Sequence, residues 1–150
     1  MSAFISISKV SWCCNQDELL RNFLEFVGKF WPNYCSTLGF TEIKCMELFP
    51  MLKALYFEGN GLSSLLGLEN NPELRCLYAH ENCVTKMEGL QNSRLLVNLN
   101  LSDNLLSSIE GLENCESLDC LYLARNRIGR NGLDDLRGLL QCPSITTLDL

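Results

Sequence analysis

Four stretches decide the fold: LKALYFEGN at 52–60, LRCLYAHEN at 74–82, LVNLNLSDN at 96–104 and LDCLYLARN at 118–126. They align at a step of 22 residues. Leu52, Leu74, Leu96 and Leu118 open them, and Leu55, Leu77, Leu99 and Leu121 stand at their centres. Phe57, Ala79, Leu101 and Leu123 follow, and Asn60, Asn82, Asn104 and Asn126 close them. Alternation of apolar with other residues is the period-2 signature of a short strand with one buried face. The step continues past the asparagines through Leu62, Val84, Leu106 and Ile128, then Leu65, Met87 and Ile109, then Leu68, Leu90 and Leu112. The unit is L-x-x-L-x-L-x-x-N-x-L-x-x-L-x-x-L. No single unit can bury its own leucines, so the copies must stack into a coil. Apolar residues three apart in the second half suit a tight 3₁₀-like turn. A buried amide persists only when hydrogen-bonded, so the four aligned asparagines predict a ladder that satisfies the backbone where each strand ends.

The fold class that follows is α/β: a solenoid of leucine-rich repeats with a parallel concave sheet, a 3₁₀ or helical convex side and an N-terminal capping helix. Thirty leucines and fourteen asparagines among 150 residues fit that pattern. With 47% hydrophobic and 20% charged residues the chain is not intrinsically disordered. Its net charge is −6 and its twelve lysines and arginines read as scattered, which argues against nucleic acid. No apolar run approaches the roughly twenty residues that span a bilayer, which argues against a membrane segment. The opening MSAFISISKVSWCC has no basic segment before its apolar residues and does not read as a secretory signal. Nine cysteines, an odd number without any C-x-x-C, read as small apolar residues in a reducing compartment. With His80 the one histidine, neither a metal nor any other cofactor is expected.

The ends of the pattern set the domain boundaries. Residues 15–33 form the expected capping helix, with Leu20, Phe23, Leu24, Val27, Phe30 and Trp31 at helical spacing. Asn15 and Glu18 open it in the manner of a capping box, and Pro32 stops it. Residues 1–14 are an N-terminal tail in which Ile5 and Ile7 alternate and nothing more is assigned. The solenoid covers 34–150. Phe40, Ile43 and Met46 repeat Leu62, Leu65 and Leu68 one step earlier, with Leu38 at the asparagine position of this degenerate unit. The fourth unit is longer: Leu118 to Ile145 is 27 residues. Its extra length predicts a short convex helix capped by Asn131, with Leu133, Leu136, Leu139 and Leu140 on one face and Pro143 as its stop. The sequence stops at Leu150, inside the next strand, so the reading expects a longer protein and an aggregation-prone fragment.

Strand residues between the buried leucines face the concave side. The central column is Tyr56, Tyr78, Asn100, Tyr122 and Asp149. Ala54, Cys76, Asn98, Cys120 and Thr147 precede it by two, and Glu58, His80, Ser102 and Ala124 follow by two. Rungs about 4.8 Å apart should bring Tyr56 and Tyr78 close to stacking. A column of tyrosines among polar neighbours suits protein binding. Tyr56, Tyr78 and Tyr122 are the expected anchors, with Glu58, His80, Asn100 and Arg125 adjusting specificity. No catalytic residues are assigned. Cys76 and His80 share a strand face but stand roughly 13 Å apart, against the roughly 3 Å that a nucleophile and its base need. Glu58, Glu81 and Asp103 lie on different rungs.

Several stretches carry a closer likeness. GFTEIKCMELFPMLKALYFEGNGL, PELRCLYAHENCVTKMEGL, LNLSDNLLSSIEGLENC and QCPSITTLDL resemble the leucine-rich-repeat dynein axonemal assembly factor family. The opening Gly39-Phe40 and the Cys-Pro-Ser at 142–144 are the more specific parts. The resemblance implies a non-enzymatic, cytoplasmic, cilium- or flagellum-associated factor that preassembles axonemal dynein arms for motility. Its implied partners are dynein arm subunits, chaperones or other assembly factors. The same short repeat occurs in the regulatory subunit of the type-one protein phosphatase, which leaves phosphatase regulation, or a cytoskeletal adaptor role, as the alternative.

Overall fold

The computed structural model describes residues 4–5, 40–44 and 46–150. The capping helix expected over 15–33 lies outside the described residues. Among the described residues six strands form one parallel sheet in chain order: β1 Phe4–Ile5, β2 Ala54–Tyr56, β3 Cys76–Tyr78, β4 Asn98–Asn100, β5 Cys120–Tyr122 and β6 Thr147–Asp149. The register follows the repeat. Leu55 pairs with Leu77, Leu77 with Leu99, Leu99 with Leu121 and Leu121 with Leu148. The backbone ladder runs beyond each short strand, through bonds such as Phe57 N to Tyr78 O at 2.7 Å and Gly59 N to His80 O at 3.0 Å.

The leucines of the pattern make one continuous core. Leu55, Leu62, Leu65, Leu68, Leu77, Leu99 and Leu121 are fully buried, and Phe40, Ile43 and Met46 of the degenerate unit join them. Each such side chain contributes about 1.5–3 kcal/mol through its removal from water. Because every leucine packs on its equivalents in the rungs above and below, that stabilisation exists only in the stack.

Two regions depart from the reading of the sequence. The strand outside β2 comes from the tail, where Phe4 pairs with Ala54 and Ile5 with Leu55. The second departure is the long fourth unit. Its convex arc is a ten-residue 3₁₀ segment, Gly132–Gln141, rather than an α-helix. Leu136 and Leu139 pack against the core, whereas Leu133 and Leu140 are 83% and 86% exposed. At three residues per turn Leu140 lies a third of a turn off the buried row. Leu133 belongs to the first turn, where residues 131–134 are all exposed. Asn131 makes no side-chain cap to the backbone. Capping runs the other way: Asp135 Oδ2 accepts from the backbone of Gly129 at 3.0 Å and of Asn131 at 3.1 Å.

Candidate functional site

The concave face is held in shape by the asparagines at the ends of its strands. Asn82 Nδ2 donates to the carbonyls of Phe57 at 2.8 Å, Ala79 at 3.1 Å and His80 at 3.2 Å, while Oδ1 accepts from Leu62 N at 3.0 Å. Asn104 repeats this with Ala79, Leu101 and Ser102 as acceptors and Val84 N as donor. Asn126 bonds Leu101, Leu123 and Leu106 N. Asn60, at the start, bonds Phe57, Glu58 and Phe40 N. Each amide therefore closes its own turn and ties it to the rung before.

Three further columns support the same stack, and the sequence reading passed over all of them. Gly67, Gly89 and Gly111 have φ of +107°, +101° and +77°. A Cβ at each would stand 2.4, 2.2 and 2.7 Å from the carbonyl oxygen of Ile43, Leu65 and Met87 respectively. Only glycine permits both the left-handed turn and that approach. A second column, Asn71, Ser93, Cys115 and Cys142, is buried under the convex arc. Asn71 Nδ2 donates to Met46 O at 3.0 Å, and the Cys142 thiol faces Leu112 O at 3.6 Å. Burial, with Cys142 and Glu113 adding, pushes the Cys115 thiol up to about 12, so it stays protonated and inert. On the outer surface Asn92 and Asn114 donate to Glu69 O and Gln91 O at 2.8 and 2.9 Å. The signal for each column was its recurrence at 22 residues, broken only at Cys142, which the expanded unit sets 27 after Cys115.

On this frame the concave side chains take their places. Tyr56 and Tyr78 stack with ring centroids 4.9 Å apart and planes 5° from parallel. Asn100 interrupts the column, its Oδ1 accepting from Ser102 N at 3.1 Å, and Tyr122 stands on the next rung. All three tyrosines are half-buried. Burial, then Cys76, Tyr56, Tyr122 and Cys120, raises the Tyr78 phenol above its usual value. Cys120 first, then partial burial, raises that of Tyr122. Both phenols therefore stay neutral at physiological pH and offer a hydroxyl that can donate or accept.

Glu58 and His80 do not form an open polar edge. Glu58 is 8% exposed, with Oε2 buried and unpartnered, and the buried Nδ1 of His80 is likewise unpartnered. Ser102, next in that column, is also 8% exposed. Glu58 is therefore a poor candidate for direct contact with a partner. Arg125 is exposed and forms a two-pronged ion pair with Asp103 one rung away, Nη2 to Oδ2 being 2.6 Å. That bond holds the Asp103 carboxyl below the usual carboxylate range.

Glu81, Asp103 and Arg125 share one further property. Their φ angles are +57°, +54° and +57°, at the position that Gly59 fills with +64° in the first described rung. Non-glycine residues adopt this region at a cost of about 1–3 kcal/mol. The turn into each asparagine demands it, and it sets a row of charged side chains at the C-terminal ends of the strands.

Among the described residues no helix is long and apolar enough to cross a membrane, and no group of three His, Cys, Asp or Glu side chains could hold a metal ion. Neither a protein-family model nor a curated relative matches the sequence. Solved structures do. An internalin (inlF) from Listeria monocytogenes aligns at 25% identity and a TM-score of 0.65, over 73% of this chain and 32% of that one. The LRR ectodomain of the receptor kinase SOBIR1 from Arabidopsis thaliana aligns at 20% identity and 0.60, over 77% and 64%. The leucine-rich repeat domain of APL1B aligns at 21% identity and 0.64, over 93% and 43%. The chain thus spans from about a third to just under two thirds of these structures' length. What it shares with them is the fold, a leucine-rich-repeat solenoid with a parallel inner sheet.

Proposed function

We propose that this chain is a protein-binding scaffold without catalytic activity, and that its concave sheet is the contact surface. The observation that carries the reading is the register-locked column of Tyr56, stacked on Tyr78, with Tyr122 two rungs beyond Tyr78. Half-buried tyrosines on a rigid sheet offer large amphipathic contact area at little cost in side-chain entropy. Asn100 between them adds a polar point that can distinguish one partner from another.

The finer reading rests on the resemblance of the repeat stretches: a cytoplasmic factor for preassembly of axonemal dynein arms. The test has two arms. Disruption of the gene in a ciliated cell should remove dynein arms from the axoneme. Affinity capture from that cell's cytoplasm should bring down dynein arm subunits with the wild-type protein and lose them with Tyr56→Ala plus Tyr122→Ala. Intact arms after disruption would overturn the dynein reading. Capture of the type-one phosphatase in place of dynein would replace it with the regulatory-subunit reading. Capture untouched by the tyrosine variant would remove the concave face from either.

A further inference from the structure

We propose that the expanded fourth unit carries a second docking surface, distinct from the concave sheet, which takes an acidic protein segment bearing apolar residues. Arg125, Arg127, Arg130 and Arg137 fall within thirteen residues, accompanied by Asp134 and Asp135 alone among acids. This stretch is therefore net positive in a chain of net charge −6. Arg125 is paired with Asp103 and Arg137 with Asp134. Arg127 and Arg130 are exposed and make no ion pair with any described residue.

Asp135 does not neutralise them, because its carboxylate is turned inward. The residue is 4% exposed, and its oxygens accept from Gly129 N, Asn131 N and Asn131 Nδ2 at 3.0–3.1 Å. Its own backbone oxygen accepts from Ile109 N at 2.7 Å, which clamps the segment to the preceding rung. The loop that presents Arg127 and Arg130 is thus anchored from inside, and binding need not pay to order it. In the same unit Leu133 and Leu140, 83% and 86% exposed, are the most exposed large apolar side chains among the described residues.

Arginine forks match carboxylates two bonds at a time, and exposed leucines in the same unit offer apolar contact to the same segment. The occupant fitting both is an acidic segment of a partner protein. A broad anionic surface fits less well, since Glu110, Glu113 and Glu116 are exposed on the adjoining arc and would meet it with repulsion.

The probe is a fluorescently labelled peptide of glutamate and leucine, followed by anisotropy with the full chain. We expect saturable binding that weakens with added salt and falls about tenfold in Arg127→Glu plus Arg130→Glu. Leu133→Ser plus Leu140→Ser should weaken it as well. All four positions are exposed, and circular dichroism would verify that the variants fold. Tyr56→Ala plus Tyr122→Ala should leave the affinity unchanged, which separates this surface from the concave one. Equal binding of the glutamine–leucine peptide would overturn the proposal. So would unchanged affinity in the double arginine variant, or tighter binding to phosphatidylserine vesicles than to the peptide.

Discussion

Between Leu52 and Ser117 the chain meets one packing problem repeatedly with the same residues; between Leu118 and Ile145 it meets it with different ones. In the regular units a left-handed glycine lets the convex arc touch the carbonyl of the previous rung, as Gly89 does at Leu65 and Gly111 at Met87. In the expanded unit Gly138 makes that approach, to Ile109, from inside a ten-residue 3₁₀ segment. Asp135 then closes the loop ahead of it. The sheet does not register the change: Leu121 pairs with Leu148 as Leu99 pairs with Leu121. Strand pairing and the asparagine ladder therefore set the rise of the coil, while the convex arc is free to vary in length.

The largest effect should come from the glycines. In Gly89→Ala the new Cβ would lie 2.2 Å from Leu65 O and 2.6 Å from its carbonyl carbon, at a φ of +101°. Steric overlap and backbone strain add, for an expected loss of about 3–5 kcal/mol in urea denaturation. In Gly138→Ala the Cβ would lie 2.0 Å from Ile109 O, but without a left-handed φ, so steric overlap acts there without backbone strain. The expected loss there is about 1–2 kcal/mol. Equal losses would mean that the expanded arc is as tightly held as the regular one.

The asparagines come next. Asn104 is 4% exposed, and its amide serves three carbonyls and one N–H. Asn104→Ala would strand those groups away from water, at a cost of about 3 kcal/mol. Asn126, at the border with the expanded unit, is half-buried, so water can replace part of what is lost. Asn126→Ala should cost about 1–2 kcal/mol on the same measurement. A reversed order would place the tighter end of the ladder at the fourth unit.

The strands and core were legible in the sequence because both depend on a period, 2 along the strand and 22 along the chain. The Tyr56–Tyr78 stack was legible for the same reason, since equal positions in adjacent rungs must meet. Contacts fixed by a neighbouring rung's backbone were harder to read. Gly89 looks like a turn residue until the Leu65 carbonyl is placed against it, and Cys115 looks like an apolar filler until Asn71 and Ser93 appear in its column. β1 was not legible, because Phe4–Ile5 belongs to no repeat and its pairing is wholly long-range. Nor was the burial of Glu58, because nothing in the alternation separates a concave position that is open from one that is covered. The arginines at 125–137 looked scattered because the charge count took the whole chain at once.

The subtlest difference between the two regions should appear with acid. The Asp135 carboxyl is held below its usual range, first by hydrogen bonds from Asn131 and then by those from Gly129 and Arg130, against the opposing effect of burial. An unfolded aspartate titrates near pH 4, so on acidification the unfolded chain takes up this proton first. The stabilisation is complete above about pH 4 and is lost as pH falls through the lower folded value. The loss is local: protonation deprives the 129–131 loop of its acceptor, while the asparagine amides of the regular units do not titrate. Asp103 is also depressed, by Arg125, so a global denaturation curve would mix the two. Hydrogen-exchange protection separates them. Backbone amides of 127–141 should lose protection on acidification before those of the arc at 84–96, and Asp135→Asn should abolish that difference in pH response. Parallel loss in both arcs would show that the Asp135 carboxylate has no special hold on the expanded unit, and that the inserted residues are secured by the backbone bond from Ile109 N to Asp135 O and by the core contacts of Leu136 and Leu139.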